Sequence, residues 1–177
     1  MALSGSIQTT VNTHWYLRLE WSAKQDVTNN RSRVTVNLYW GGTYAVRSTA
    51  NKTAGLKYNG GSWNTKSDTY LAGISDGEKK LIHSISFYIN HNSSGDASFS
   101  VDGYFTPEVT LSGTYYGQVD LSEKSFSLNR IEQSGKMWVR TGSGWEKGVA
   151  HVYVSGSWRK AKAVYVYASG AWRQDSG

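Results

Sequence analysis

The sequence predicts an all-β protein, an antiparallel β-sandwich of jelly-roll type followed by a small module of tryptophan-containing β-hairpins. Three observations carry this prediction. Large apolar residues alternate with polar ones in several segments, turn residues recur about every 8 to 12 residues, and no stretch keeps a helical period over three turns. The composition agrees, because 14% of the residues are aromatic and only 18% are charged.

Residues 14–22 form the clearest predicted strand. Its large apolar residues stand at every second position, namely Trp15, Leu17, Leu19 and Trp21. They therefore share one face, while the polar residues between them share the other, as in an antiparallel sheet with one packed and one wet side. We expect Trp15 and Trp21 to hold two sheets together, which removes both from the candidate binding residues.

The other strands of the first part follow from the same alternation. They are predicted at residues 4–12, 34–40, 44–48, 53–58, 79–90, 99–105, 109–111, 114–121 and 124–131. Asn29-Asn30, Gly41-Gly42 and Asn59-Gly60-Gly61 are typical of turns. Residues 63–77 are less regular, and we predict a loop that carries a short strand.

Within the strand at 79–90, alternation assigns one inner face to Leu81, His83, Ile85, Phe87 and Ile89. The next predicted strand carries Phe99, Val101, Gly103 and Phe105 on one face. Gly95 lies in the turn between the two strands, where a positive φ is expected. Pro107, the only proline, breaks or edges the later strand.

The chain changes character near residues 130–136, so we predict a sandwich domain at 1–130 and a three-hairpin module at 131–177. Beyond the boundary a short unit of strand, glycine turn and strand repeats, with Trp145, Trp158 and Trp172 just after the turns. A single hairpin is barely stable in water. Neighbouring hairpins are therefore expected to stack and bury the tryptophans.

Charge and cysteine content limit the classes of function. The formal charge is +6, and 7 basic against 3 acidic residues follow Arg130. These basic residues are too few to form the dense basic surface that contacts the phosphates of a nucleic acid, so nucleic acid is not an expected partner. The sequence has no cysteine, no leader-like start and no apolar run near the roughly 20 residues that span a membrane. We expect a soluble protein without membrane insertion.

No motif for catalysis or metal binding stands out. The four histidines are scattered without ligand spacing, and His83 is best interpreted as a core residue. A jelly roll can be a glycosidase with two carboxylates across a sugar, but nothing in the sequence fixes the separation of Glu20 and Asp102. We predict a protein that is not an enzyme and needs no cofactor or metal.

Aromatic residues beside basic ones are the remaining candidates for contact. A tryptophan can stack on a sugar ring or serve as the core of a small hairpin module, and the second interpretation is favoured for the repeats. The candidate surface and glycan contacts are Trp145, Trp158, Trp172, Trp63, Arg159 and Arg173.

Several ordered motifs carry a resemblance to a known family. They lie at residues 1–6, 14–22, 34–40, 77–82, 91–96 and 109–117. Together they resemble the N-terminal domain of a family of minor structural proteins from tailed phages of Gram-positive bacteria. The hairpin repeat is similar to short repeats that end many phage tail and baseplate proteins.

The resemblance implies a virion component of the distal tail or baseplate, made in the host cytoplasm. Its expected partners are other tail or baseplate proteins and further copies of itself, since such parts usually assemble with symmetry. The resemblance supplies no catalytic residues. An alternative function is a carbohydrate-binding module that recognises host cell-wall glycans.

Overall fold

The computed structural model describes residues 3–132, 137–141, 144–148, 150–161, 165–168 and 170–174. Over these residues the chain forms sixteen strands and no helix, which confirms the predicted all-β class. None of them belongs to a helix that is long and apolar enough to cross a membrane. The chain divides into two compact units, Met1–Asn92 with Asp96–Ile131, and Ser93–Gly95 with Glu132–Gly177.

The first unit is a sandwich of two four-stranded antiparallel sheets. Its strands are β1 (Ser4–Thr10), β2 (Trp15–Asp26), β3 (Arg31–Gly42), β4 (Asn51–Tyr58), β5 (Asn64–Thr69), β6 (Lys79–Asn90), β7 (Ser98–Thr106), β8 (Val109–Leu111), β9 (Thr114–Tyr116) and β10 (Val119–Ser127). The sheet orders are β1-β2-β3-β6 and β10-β7-β4-β5, and β8 pairs with β9. After the β1-β2-β3 meander the chain crosses to β4 and β5, returns to β6 and crosses again to β7. This interleaving is the jelly-roll-like part of the fold.

The core lies between the two sheets because each strand has one apolar face. On β2 and β3 the buried large apolar residues are those predicted by alternation, namely Trp15, Leu17, Leu19, Trp21, Val34, Val36, Leu38 and Trp40. Trp21 meets Phe99 of β7 edge-on, with ring centroids 5.0 Å apart. Trp40 meets Phe105 of the same strand at 5.5 Å. Trp21 and Trp40 of the first sheet are therefore packed against the second, which confirms the prediction for Trp21.

A β-bulge changes the predicted inner face of β6. Leu38 is opposite His83, but the next residue, Tyr39, is opposite Leu81, so Ile82 is an extra residue in the ladder. The bulge reverses the alternation, which buries Ile82 and leaves Leu81 49% exposed. The prediction of an inward Leu81 is wrong, and the prediction of a buried His83 is confirmed.

Two segments that were predicted as continuous strands differ in the structure. Residues 44–48, predicted as a strand, form only one antiparallel bridge, between Val46 and Ile74. The predicted strand at 114–121 is split, because β9 turns back on β8 and a new strand begins at Val119. Residues 63–77 do contain a short strand, β5, which is exposed throughout at the edge of the second sheet.

The second unit contains three hairpins, and each is a separate two-stranded antiparallel sheet. Their strands are β11 (Met137–Thr141), β12 (Gly144–Gly148), β13 (His151–Val154), β14 (Ser157–Lys160), β15 (Tyr165–Ala168) and β16 (Ala171–Gln174). The turn of the second hairpin is Ser155-Gly156, with φ of 49° and 81°, as two-residue hairpin turns require. The repeated tryptophans take equivalent registers, opposite Arg140, Tyr153 and Tyr167.

Candidate functional site

Two exposed aromatic surfaces contain the sequence-predicted contact residues that the structure describes. Trp63 lies on the sandwich, and Trp158 and Arg159 lie on the second hairpin. All three side chains reach solvent. The side chains of the other candidates lie outside the described part of the chain, namely those of Trp145, Trp172 and Arg173. The two described surfaces belong to different units, so each is a site by itself.

Trp63 stands just before β5 at the edge of the second sheet and is 43% exposed. Its ring meets Tyr104 of β7 edge-on, with centroids 4.9 Å apart. Nζ of Lys57 on β4 lies 4.7 Å from the Trp63 ring centroid. Lys57 is also opposite Asp102 of β7 in the ladder, which places both on the solvent face. We call Lys57, Trp63, Asp102 and Tyr104 the Trp63 surface.

Gly55 fixes the position of the Tyr104 ring. The two residues are opposite each other in the β4–β7 ladder, and the ring lies over the glycine. A Cβ at position 55 would stand 2.2 Å from Cε1 of Tyr104, so a side chain there would displace the ring. Trp63 therefore rests against an aromatic ring whose place is set by the backbone of β4.

Asp102 is the polar centre of the Trp63 surface. Its Oδ2 lies 3.2 Å from Nζ of Lys57, and its side chain is only 13% exposed. Its Oδ1 is buried and has no hydrogen-bond partner among the described residues. Burial raises the pKa of Asp102, the hydrogen bond and charge of Lys57 oppose this rise, and the charge of Glu123 adds to it. Asp102 is thus a poorly solvated carboxylate beside an exposed indole.

The second hairpin presents apolar side chains on both faces. Tyr153 and Trp158 pair across the strands with ring centroids 5.4 Å apart, and they are 62% and 71% exposed. Val152 and Val154, on the opposite face, are also exposed. The expectation that stacked hairpins bury their tryptophans is wrong for Trp158. In the described part of the chain the hairpin is a separate two-stranded sheet, and the exposure of Tyr153 and Trp158 means that no second layer covers the face that carries them.

Sequence reasoning missed a loop-rich end of the sandwich, where two grooves flank residues 45–49. The grooves have volumes of about 490 and 700 Å³. In the first, Nζ of the buried Lys52 binds Oε2 of Glu108 at 2.9 Å. The lining residues come from segments far apart in sequence, so no spacing in the chain could have revealed the grooves.

In the second groove Tyr70 has φ of 68°, an unusual backbone conformation for an aromatic residue. Nζ of Lys80 donates hydrogen bonds to the carbonyl oxygens of Tyr70 and Gly73, the latter at 2.9 Å. These bonds hold the turn while the Tyr70 side chain remains exposed. The segment is an ordered, strained loop of the kind that often carries binding residues.

The two carboxylates considered for glycoside hydrolysis do not come together. Glu20 lies between buried residues of β2, on the solvent face of the first sheet, whereas Asp102 lies on the solvent face of the second. Glu20 accepts hydrogen bonds from Arg18 at 2.7 Å and Lys79 at 3.1 Å. Burial raises the pKa of Glu20, but these hydrogen bonds outweigh burial and lower it. Carboxylates on opposite faces cannot flank one glycosidic bond.

Two of the histidines, His83 and His91, serve the fold. The ring of His83 is buried, its Nε2 donates a hydrogen bond to the Asn64 carbonyl oxygen at 2.9 Å, and burial lowers its pKa. Nε2 of His91 lies 2.8 Å from Oγ of Ser32 in a buried contact. Within the described ranges no three histidine, aspartate or glutamate side chains are grouped as metal ligands.

No protein family, curated protein or solved structure gives a significant match to this chain.

Proposed function

We propose that the chain is a non-enzymatic structural protein of a phage virion, located in the distal tail or baseplate and contributing to assembly or adsorption. The ordered motifs of residues 1–130 support the choice of protein class. The observation that carries the proposal is the second hairpin, where Tyr153 and Trp158 project into solvent outside any core.

An exposed aromatic hairpin fits a component of a larger assembly. A two-stranded hairpin is marginal alone, and Val152 and Val154 leave its second face apolar as well. Large apolar side chains that stay exposed together often mark a place where another macromolecule binds. The equivalent registers of the three hairpins suit a partner surface that is itself repeated, as in a symmetric particle. Other tail proteins and further copies of this chain are the proposed partners.

The acidic residues of the sandwich support a role without catalysis, because each has a structural partner. Oδ1 of Asp76 accepts a hydrogen bond from the Ala45 amide at 2.7 Å. Oε2 of Glu78 accepts one from the Ser75 amide at 2.7 Å. Loop carboxylates of this kind close turns and support the ends of the strands.

Mass spectrometry of purified phage particles tests the virion role. We expect peptides of this chain in particles at a fixed ratio to the major tail protein. Trp158→Ala should reduce incorporation, and Trp63→Ala, on the other unit, should leave incorporation unchanged. Presence in the lysate with absence from particles would refute the proposal.

A second candidate function, carbohydrate binding, is favoured by the Trp63 surface. An exposed indole with a lysine and a carboxylate beside it combines an apolar ring face with hydrogen-bonding groups. Sites for small polar ligands commonly have this composition.

A further inference from the structure

We propose that the Trp63 surface is a binding site for an uncharged pyranose unit of a glycan. This inference rests on carbohydrate binding, the second candidate function, and is independent of the virion role. It places the site on the solvent face of the second sheet, where the side chains of β4 and β7 meet Trp63.

The aromatic part of the site is held in place before any ligand arrives. Tyr104 lies over Gly55, and Trp63 meets Tyr104 edge-on at 4.9 Å. On the inner side of β5, the hydrogen bond from His83 to the Asn64 carbonyl anchors the residue that follows Trp63. A positioned ring loses little conformational entropy on binding. Because Nζ of Lys57 covers one face of the indole, the face turned away from Lys57 is the one proposed for stacking.

The polar part of the site matches the hydroxyl groups at the rim of a sugar ring. Nζ of Lys57 offers donors, and it contacts both the indole of Trp63 and Oδ2 of Asp102. Oδ2 of Asp102 is paired with Nζ of Lys57, and a carboxylate oxygen can accept more than one hydrogen bond. A sugar hydroxyl at the edge of the Trp63 ring would therefore meet a donor, Nζ of Lys57, and an acceptor, Oδ2 of Asp102.

The charge of the site favours an uncharged ligand over a phosphate polymer. Lys57 is neutralised by Asp102, and the nearby Glu123 raises the pKa of Asp102 through its negative charge. Ser100 of β7 donates a hydrogen bond to Oε1 of Glu123, which keeps this second carboxylate beside the same strand. A phosphate group at Trp63 would meet a cation, Lys57, that is already paired with the carboxylate of Asp102, which opposes binding.

Isothermal titration calorimetry of the full chain tests the proposal with three probes. The uncharged probes are the β-1,4-linked tetramers of glucose and of N-acetylglucosamine, and the anionic probe is poly(glycerol phosphate). We expect at least one tetrasaccharide to bind with a Kd at or below about 1 mM, and the anionic probe to bind more weakly. Trp63→Ala should weaken tetrasaccharide binding about tenfold or more, as for a central aromatic contact.

Matched variants separate the site from a general loss of structure. Tyr88 on β6 of the other sheet is a comparably exposed aromatic, and it lies beside a cation, Arg31 of β3. Tyr88→Ala should therefore change the affinity for the tetrasaccharide less than twofold. Trp63→Phe keeps an aromatic face and should retain most of the affinity, provided that circular dichroism shows a folded chain for each variant.

Each remaining outcome has a defined meaning. Tetrasaccharide binding that Trp158→Ala removes and Trp63→Ala does not would overturn the proposed location and leave carbohydrate binding itself in place. Tighter binding of poly(glycerol phosphate) would overturn the ligand class. No binding of either tetrasaccharide would overturn the inference together with the second candidate function, and the virion role would still depend on the particle experiment.

Discussion

The sandwich and the second hairpin use the same residue types for opposite purposes. In the sandwich, alternation places Trp15, Trp21 and Trp40 between two sheets, where they are buried. In the hairpin, alternation places Trp158 beside Tyr153 just as regularly, yet both side chains remain exposed. The difference is the partner sheet and not the strand. A side chain is buried only when the fold places a second sheet against its face of the strand. The aromatic residues that no second sheet covers are therefore available for recognition.

The largest expected effect is on a core tryptophan. Trp40 is fully buried, packs on Phe105, and donates its Nε1 hydrogen bond to the Ala72 carbonyl at 3.2 Å. Trp40→Ala should lower the free energy of unfolding by about 3–5 kcal/mol in urea titrations. Trp158→Ala is the matched change in the other unit, and the sandwich transition should move by less than about 0.5 kcal/mol. Equal losses would contradict the assignment of these two roles.

The next effect concerns Gly55, which links the fold to the Trp63 surface. Gly55→Ala forces the Tyr104 ring to move and should cost about 1–3 kcal/mol of stability. The same variant should weaken tetrasaccharide binding, because Trp63 loses the ring that supports it. Gly117→Ala is the control, since a Cβ there would meet only the Tyr115 ring at 3.4 Å. A Gly55→Ala chain with unchanged stability and affinity would argue against a fixed platform.

A smaller effect should appear in the pH dependence of the sandwich. Burial lowers the pKa of His83 below its usual 6.5, so the unfolded chain takes up this proton more readily than the native one. The stability contributed by neutral His83 is therefore complete above pH 6.5 and is lost as the pH falls through the folded-state pKa. Urea titrations from neutral pH down to about pH 5 should show this loss, and His83→Gln should remove it. His151→Gln, in the hairpin unit, should leave the loss in place.

The smallest expected effect is that of removing the hairpin unit. A chain that ends after Glu132 retains every strand of both sandwich sheets. Its free energy of unfolding should match that of the sandwich transition in the full chain within about 0.5 kcal/mol, as monitored by near-ultraviolet circular dichroism. A larger loss in the free energy of unfolding would show that the stability of the sandwich depends on the hairpins and that the two regions are not independent.

Much of the sandwich could be predicted from the sequence because a period of two is a local signal. The inner faces of β2, β3 and β7 follow directly from it. The bulge at Ile82 could not be predicted, since one extra residue in a ladder depends on the neighbouring strand. Residues 44–48 have a strand-like composition, but only Val46 forms a β-bridge, with Ile74. Local pattern identifies the strands, and pairing decides their details.

The candidate site was predicted only in part, for the same reason. Trp63 was recognised as a possible contact, but Lys57, Asp102 and Tyr104 were not, because their assembly depends on the β4–β7 register. Gly55 was the available signal, since a glycine inside a strand often marks a close approach of another group. For Trp158 the sequence leaves two interpretations, module core and surface contact, and favours the core because a single hairpin has low intrinsic stability. The 71% exposure of Trp158 agrees with the second interpretation.

Hydroxyl-radical footprinting of the eight tryptophans, read by mass spectrometry on the dilute full chain, tests the central claim most directly. The claim is that recognition residues lie outside the core, on the Trp63 surface and the second hairpin. The structure predicts rapid oxidation of Trp158, intermediate oxidation of Trp63, and protection of the core tryptophans Trp15, Trp21 and Trp40. Protection of Trp158 and Trp63 to the level of Trp40 would contradict the claim.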